Sequence, residues 1–142
     1  MITIGGKLPA TYCIHAVGPN YNYELDKGDD LLISAYSNAL ARAKEHGLKT
    51  VAFSLISSGV YRGPHSLEHV LEIGVRSIRD FAYAGAEEIV MCAFTSEEAE
   101  ALTTVAEGIF ASKSLLLESN ELNKQPKKEP LSSEKESPLK KL

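Results

Sequence analysis

Thr50-Val51-Ala52-Phe53-Ser54-Leu55-Ile56-Ser57-Ser58-Gly59-Val60-Tyr61 runs from an apolar segment straight into a loop of small residues. Residues 50–56 are nearly all apolar and of strand length, which predicts a strand covered on both faces. Ser57, Ser58 and Gly59 are small enough for their backbone N–H groups to approach an anion closely. Gly59 is free to take backbone angles closed to other residues. Successive N–H groups in such a turn form an anion-binding concavity, and a helix beginning nearby adds favourable partial charge. Tyr61 supplies a flat ring with a hydroxyl, suited to packing on a sugar. The stretch is neither a Gly-x-Gly-x-x-Gly dinucleotide fingerprint nor a Gly-Lys-Ser/Thr nucleotide loop, and no Mg²⁺ ligand is evident in it. Any strand-to-helix turn also needs small residues, so the loop alone leaves both readings open.

Strands and helices alternate on either side of this loop. Upstream, residues 2–4 form a short strand, followed by a Gly5-Gly6 turn. Residues 11–17 are apolar and partly β-branched, bounded by Pro9 and Gly18-Pro19, and read as a strand. A polar, tyrosine-bearing loop covers residues 19–28, and Asp29 and Asp30 are placed to cap the next helix. That helix aligns Leu32, Ala35, Tyr36, Ala39, Leu40 and Ala43 on one face, and Gly47 suits its end. Downstream, Ser66 is the expected N-cap of a helix with a buried stripe of Leu67, Val70, Leu71, Val75, Ile78 and Ala82. Residues 88–94 form the last strand. Thr95 and Glu98 make a capping box for a final helix whose inward face is Ala99, Leu102, Ala106, Ile109 and Phe110. The order β-β-α-β-α-β-α indicates an α/β layered sheet, whose ligand sites lie at the carboxyl ends of the strands.

With 142 residues the chain holds one domain, placed at residues 1–118, and a tail at residues 119–142. The tail has three prolines, no aromatic residue and scattered charge, a composition expected to stay disordered. Six lysines against four glutamates make it positive, while the first 118 residues carry 9 basic and 15 acidic side chains. An acidic body argues against a nucleic-acid face, which needs clustered Lys and Arg. No apolar run approaches a membrane span, and the N-terminus lacks the basic-then-apolar order of a secretory signal. Cys13 and Cys92, outside any Cys-x-x-Cys pair, read as buried thiols in a reducing compartment, the cytoplasm or nucleus. His15, inside a strand, reads as a hydrogen-bonded core histidine, and His46 as a helix-end residue. His65 and His69 are four apart and share a helix face, with no third ligand placed to complete a metal site. No cofactor is expected.

In order and spacing, Ile14-His15-Ala16-Val17-Gly18-Pro19, Val51-Ala52-Phe53, the loop from Ile56 to Tyr61, and Glu88-Ile89-Val90-Met91-Cys92-Ala93-Phe94 resemble the macrodomain family over about residues 2–110. The resemblance implies a three-layer α/β/α macrodomain-like sheet, N-terminally truncated. It implies binding of ADP-ribose or an ADP-ribosylated substrate, and hydrolysis of ADP-ribosyl esters such as O-acetyl-ADP-ribose by the full-length form. Carried over residue by residue, Ser57, Ser58, Gly59, Val60 and Tyr61 would hold the diphosphate and distal ribose, with Tyr61 against the sugar. Phe94 would flank adenine; the alternative for Phe94 is a core aromatic at a strand end. Ser54-Leu55 stands where Pro-Ala is common, and Arg62-Gly63 where Gly-Tyr is common. The family's catalytic-side residues precede the matched region, so none is assigned here. Its sheet also places a further strand between residues 11–17 and 50–56, without which two strand edges are left open to self-association. The competing readings are a non-catalytic fragment or interaction domain that keeps only the scaffold, and an unrelated α/β protein whose loop binds another phosphate ester.

Overall fold

The computed structural model describes residues 1–24 and 26–122. The elements in chain order are β1 (Ile2–Ile4), β2 (Tyr12–Ile14), α1 (Gly28–Glu45), β3 (Thr50–Ser54), a 3₁₀ turn (Val60–Arg62), α2 (Leu67–Phe81), β4 (Glu88–Cys92) and α3 (Ser96–Leu122). α3 thus runs four residues beyond the boundary expected at 118, and the rest of the tail lies outside the described residues.

Each helix forms for legible local reasons. α1 buries Leu32, Ala35, Tyr36, Ala39, Leu40 and Ala43, the face expected from their spacing. It starts at Gly28 without a side-chain cap, so Asp29 and Asp30 sit in the first turn and favour the helix dipole instead of capping it. It ends in a Schellman motif: Gly47 takes φ 62, its N–H donates to the Lys44 carbonyl at 3.0 Å, and the Leu48 N–H donates to Ala43 at 3.0 Å. α2 is capped by Ser66, whose Oγ accepts from the His69 N–H at 3.1 Å. Its buried side is Val70, Leu71, Gly74, Val75 and Ser77, while Ala82 is exposed as the C-terminal cap. The Thr95–Glu98 capping box forms as expected at the start of α3, with reciprocal bonds of 3.1 and 3.2 Å. Beyond it Ile109 is buried, but Ala99 and Phe110 are exposed, so the inward face is rotated toward Ala101, Leu102, Val105 and Ala106.

α1 packs on α2 and α2 on α3. The core lies between the first two helices and β3–β4, where Tyr36 and Phe53 tilt against each other at 5.3 Å. Val51, Phe53, Ile89 and Met91 face this core. Thr50, Ala52, Ser54, Glu88, Val90 and Cys92 point the other way and are exposed. The expectation that residues 50–56 are covered on both faces is therefore corrected: among the described residues only one face is covered. The same open face corrects the reading of the cysteines, since Cys92 is exposed and only Cys13 is half-buried.

The strands form two separate sheets. β1 pairs antiparallel with β2, Ile2 opposite Ile14, and β3 pairs parallel with β4, Thr50 opposite Glu88. No ladder joins β2 to β3. Their carboxyl ends meet where the Ser57 Oγ donates to the Pro19 carbonyl at 2.7 Å, so the two strands run the same way. Between them lies a slot of about 300 Å³ lined by Tyr12, Ile14, Val51 and Phe53. Among the described residues no strand lies between β2 and β3, and the paired segments are shorter than the apolar runs that contain them; past β2, the His15 N–H still donates to the Met1 carbonyl at 2.8 Å. The His15 side chain is exposed and bonded to the Thr3 hydroxyl at 2.9 Å, and so is not a core histidine.

Candidate functional site

The loop leaves β3 at a point fixed from within the core. The Ile56 N–H donates to the Tyr36 hydroxyl at 3.2 Å. Burial pushes that hydroxyl up to about 12, outweighing the opposite pull of the Ile56 bond. Ser57 takes φ 58, a left-handed conformation uncommon for a residue other than glycine and associated with functional turns. Gly59 has φ −88 and ψ −132, outside the regions most residues adopt, and positive φ falls on Ser57 and on Gly63, which has φ 60. The two serine hydroxyls turn inward: Ser57 Oγ donates to Pro19, and Ser58 Oγ donates to the Leu55 carbonyl at 3.0 Å. Ser58 is buried, whereas Gly59 and Val60 are exposed and Tyr61 is 54% exposed.

The hydroxyls thus hold the loop to the scaffold. Among the described residues, none of the N–H groups of Ser57, Ser58, Gly59 and Val60 meets an acceptor. Consecutive backbone donors without an acceptor are the kind of group that an anion can satisfy. A Cβ placed on Gly59 would meet nothing within 4 Å, which marks free space beside these donors.

The far end of the loop is held by the segment that follows β2. Tyr21 N–H donates to the Tyr61 carbonyl at 2.8 Å, and Asn22 Nδ2 donates to the Val60 carbonyl at 3.2 Å. Gly18 lies so close to the loop that a Cβ there would come within 2.3 Å of both Ile56 Cγ2 and Ser57 Oγ. Tyr21 is 1% exposed, and its hydroxyl donates to Asp29 Oδ1 at 2.9 Å. Burial first, then the Asp29 bond and charge, raise the Tyr21 hydroxyl well above the ordinary tyrosine value. Desolvation works to raise Asp29, but hydrogen bonds from His69 and Tyr21 and the electrostatic effect of the neighbouring His69 and His65 outweigh it, holding the carboxyl below its usual range.

Ser57, Ser58, Gly59, Val60 and Tyr61 therefore lie together at the carboxyl end of β3. Phe94 lies just past the carboxyl end of β4 and is 96% exposed, with its backbone N–H donating to Glu98 Oε2 at 2.9 Å. In this chain it is not the core aromatic that was its alternative reading. His65 precedes the Ser66 cap, so it does not share the helix face of His69; the two rings nevertheless stack at 4.7 Å. No group of three or more His, Cys, Asp or Glu side chains is arranged to hold a metal among the described residues. Sequence reasoning missed Tyr21, Asn22 and the Tyr36 hydroxyl. Tyr36 was legible only as an apolar stripe residue, and the contacts of the other two span 38 to 40 positions, beyond any local pattern.

A family model described as Macro domain matches residues 1–74. A macro domain-containing protein of Ralstonia nicotianae is 41% identical over 97 residues, which are 68% of this chain and 55% of that protein. An O-acetyl-ADP-ribose deacetylase of Escherichia fergusonii is 39% identical over 99 residues, 68% of this chain and 55% of the relative. Among solved structures, an Oceanobacillus iheyensis macrodomain with ADP superposes with a TM-score of 0.73 at 25% identity, covering 79% of this chain and 58% of that one. The chain thus spans about half the length of the curated relatives it matches. The α/β fold, the loop after β3 and the family match agree: the chain belongs to the macro domain family.

Proposed function

We propose that this chain is an ADP-ribose-binding macrodomain segment whose loop at residues 57–61 holds the ligand's diphosphate. The row of four unpaired backbone N–H groups carries the reading, because such donors favour an anion and no acceptor within the described residues competes for them. Tyr61 is exposed beside them and offers its ring to the distal ribose. Phe94, exposed beyond a neighbouring strand end, is the proposed adenine flank. A structural neighbour solved with ADP and a relative named as an O-acetyl-ADP-ribose deacetylase support the same ligand class. Titration calorimetry with ADP-ribose tests it: saturable heat is expected, and its absence from folded protein would falsify the reading. Ester hydrolysis, with O-acetyl-ADP-ribose or mono-ADP-ribosylated protein as substrate, is proposed for the full-length form alone. Acetate release from O-acetyl-ADP-ribose by that form is the corresponding assay. The proposed setting is cytoplasmic or nuclear, checked by cell fractionation.

A second reading rests on the two separate sheets. β2 and β3 each leave an edge unpaired along the slot, and such edges template further strands. Self-association through these edges predicts a weight-average mass that rises with concentration in sedimentation equilibrium. A monomeric mass throughout would leave the loop as the only functional feature.

A further inference from the structure

The distal half of the loop hangs on one buried side chain, and that side chain is mounted on two histidines and a carboxylate. Tyr21 fixes the Tyr61 carbonyl through its backbone N–H at 2.8 Å. Its ring has little room to move: Gly28 packs on one side so closely that a Cβ would sit 2.3 Å from the ring, and Gly63 packs against its backbone. The His65 ring meets the Tyr21 ring edge-on at 4.7 Å. His65 also lies nearly flat on His69, at 4.7 Å and 16° between planes. His69 Nε2–H donates to Asp29 Oδ1 at 3.0 Å, the same oxygen that accepts from the Tyr21 hydroxyl.

We propose that Tyr21, Asp29, His65 and His69 form a positioning unit that couples the placement of the loop at residues 57–61 to the charge on the histidine pair. As a statement about ligand affinity this rests on the ADP-ribose reading; as a statement about the loop it does not. Tyr21, from the segment after β2, and Asp29, from α1, are the titratable groups that face the pair from the elements packed on it. Among the described residues no second carboxylate is bonded to either ring. With one proton on the pair, His69 is an imidazolium paired to Asp29, and His65 stacks on it as a neutral ring. A second proton places two stacked cations beside a single carboxylate. Like charges at this spacing repel, and one anion cannot neutralise both. The available relief is for His65 to leave the stack, because His69 is held by Asp29 and by its place on α2. His65 then withdraws one of the contacts that seat the Tyr21 ring, leaving Gly28 and Asp29 to hold it behind the Tyr61 carbonyl. Imidazole is the side chain whose charge a change of pH near neutrality is suited to vary, which is how the unit is tested.

The test follows ADP-ribose affinity by calorimetry at pH 7.5 and pH 5.5. Wild type is expected to bind at least threefold more weakly at the lower pH. His65→Phe keeps a flat ring in the stack without a second charge, and its affinity is expected to change less than the wild type's. His69→Gln, which retains a donor toward Asp29, is expected to behave likewise and covers the case in which H65F does not fold. A wild-type affinity that is flat with pH, or a pH dependence unchanged in both variants, overturns the proposal. Absence of ADP-ribose binding at pH 7.5 refutes the ligand reading instead. In that event the unit is tested on the free protein through the amide resonances of Gly59 and Tyr61. They should move with the imidazole titration in wild type and stay still in the variants; resonances indifferent to it sink the proposal.

Discussion

Gly63 closes the loop, and replacing it with alanine gives a measurable cost in two parts. Its φ of 60 lies in the region that L-residues avoid, and a Cβ built on it falls 2.9 Å from the Tyr21 carbonyl carbon and 3.1 Å from the Asn22 nitrogen. Left-handed backbone costs an L-residue about 1–2 kcal/mol. Overpacking against backbone that cannot yield costs a further ~1–3 kcal/mol. Gly47→Ala provides the internal reference, because Gly47 has φ 62 but nothing within 4 Å of its Cβ position. Gly63 also has ψ −135, outside the small left-handed region, so its backbone part is at least as large as that of Gly47, and the clash belongs to Gly63 alone. Urea unfolding, followed by far-ultraviolet circular dichroism, should show G47A destabilised by about 1–2 kcal/mol and G63A by about 2–5 kcal/mol. For a domain of this size each kcal/mol lowers Tm by roughly 3–5 °C. Equal losses in the two variants would refute the claim that Gly63 is held tightly against the Tyr21 backbone, and with it the account of how the loop is closed.

Other expectations follow from the same contacts. Gly59→Val places its side chain in open space, so ADP-ribose heat should disappear while the far-ultraviolet spectrum remains that of folded protein. Retained binding in G59V would remove the ligand from the loop. Tyr36→Phe deletes the acceptor of the Ile56 N–H at a buried position and should cost about 1–3 kcal/mol in urea, with amide exchange faster at Ile56; unchanged exchange would break the link from core to loop. Asp29 has a folded-state pKa below its unfolded value, so its stabilisation is present above the ordinary carboxylate range and is lost as pH falls through the folded value. The stability gap between wild type and Asp29→Asn should therefore be widest above about pH 5 and shrink toward pH 2. A gap that stays constant with pH would exclude a charge contribution.

What was readable in the sequence is what depends on near neighbours. The α1 stripe from Leu32 to Ala43, the Ser66 cap, the Thr95–Glu98 box and the Gly47 stop are each decided within about four residues, and all are present. Strand ends were not readable, because they depend on which neighbour completes the ladder. Residues 11–17 are mostly apolar, yet only Tyr12–Ile14 pair, and their partner is β1 alone. Cys92 and Ala52 were read as buried because their strands are apolar; whether a face is covered depends on elements elsewhere in the fold, and here that face is exposed. The loop was legible as a run of small residues. Its supports were not, since Ser57–Pro19, Tyr61–Tyr21 and Ile56–Tyr36 join distant parts of the chain.

Those supports bear on whether a chain spanning about half of its relatives can retain a working loop. Among the described residues, the hydrogen bonds that fix residues 56–63 come from α1, from residues 18–22, from His65 or from the loop itself. None crosses the slot between β2 and β3 along its length. The open edges and the exposed face of β3–β4 weaken the sheet, since two-stranded pairs are marginal on their own. The loop, by contrast, stands on the Tyr36 hydroxyl, the Pro19 carbonyl and the buried Tyr21 ring, all on the covered side of the molecule. Sheet completion and loop geometry are therefore separable properties of this chain. Whatever fills the slot should raise the unfolding free energy without moving the anion cradle, while losing Tyr21 or Tyr36 should disturb the cradle whether or not the slot is filled.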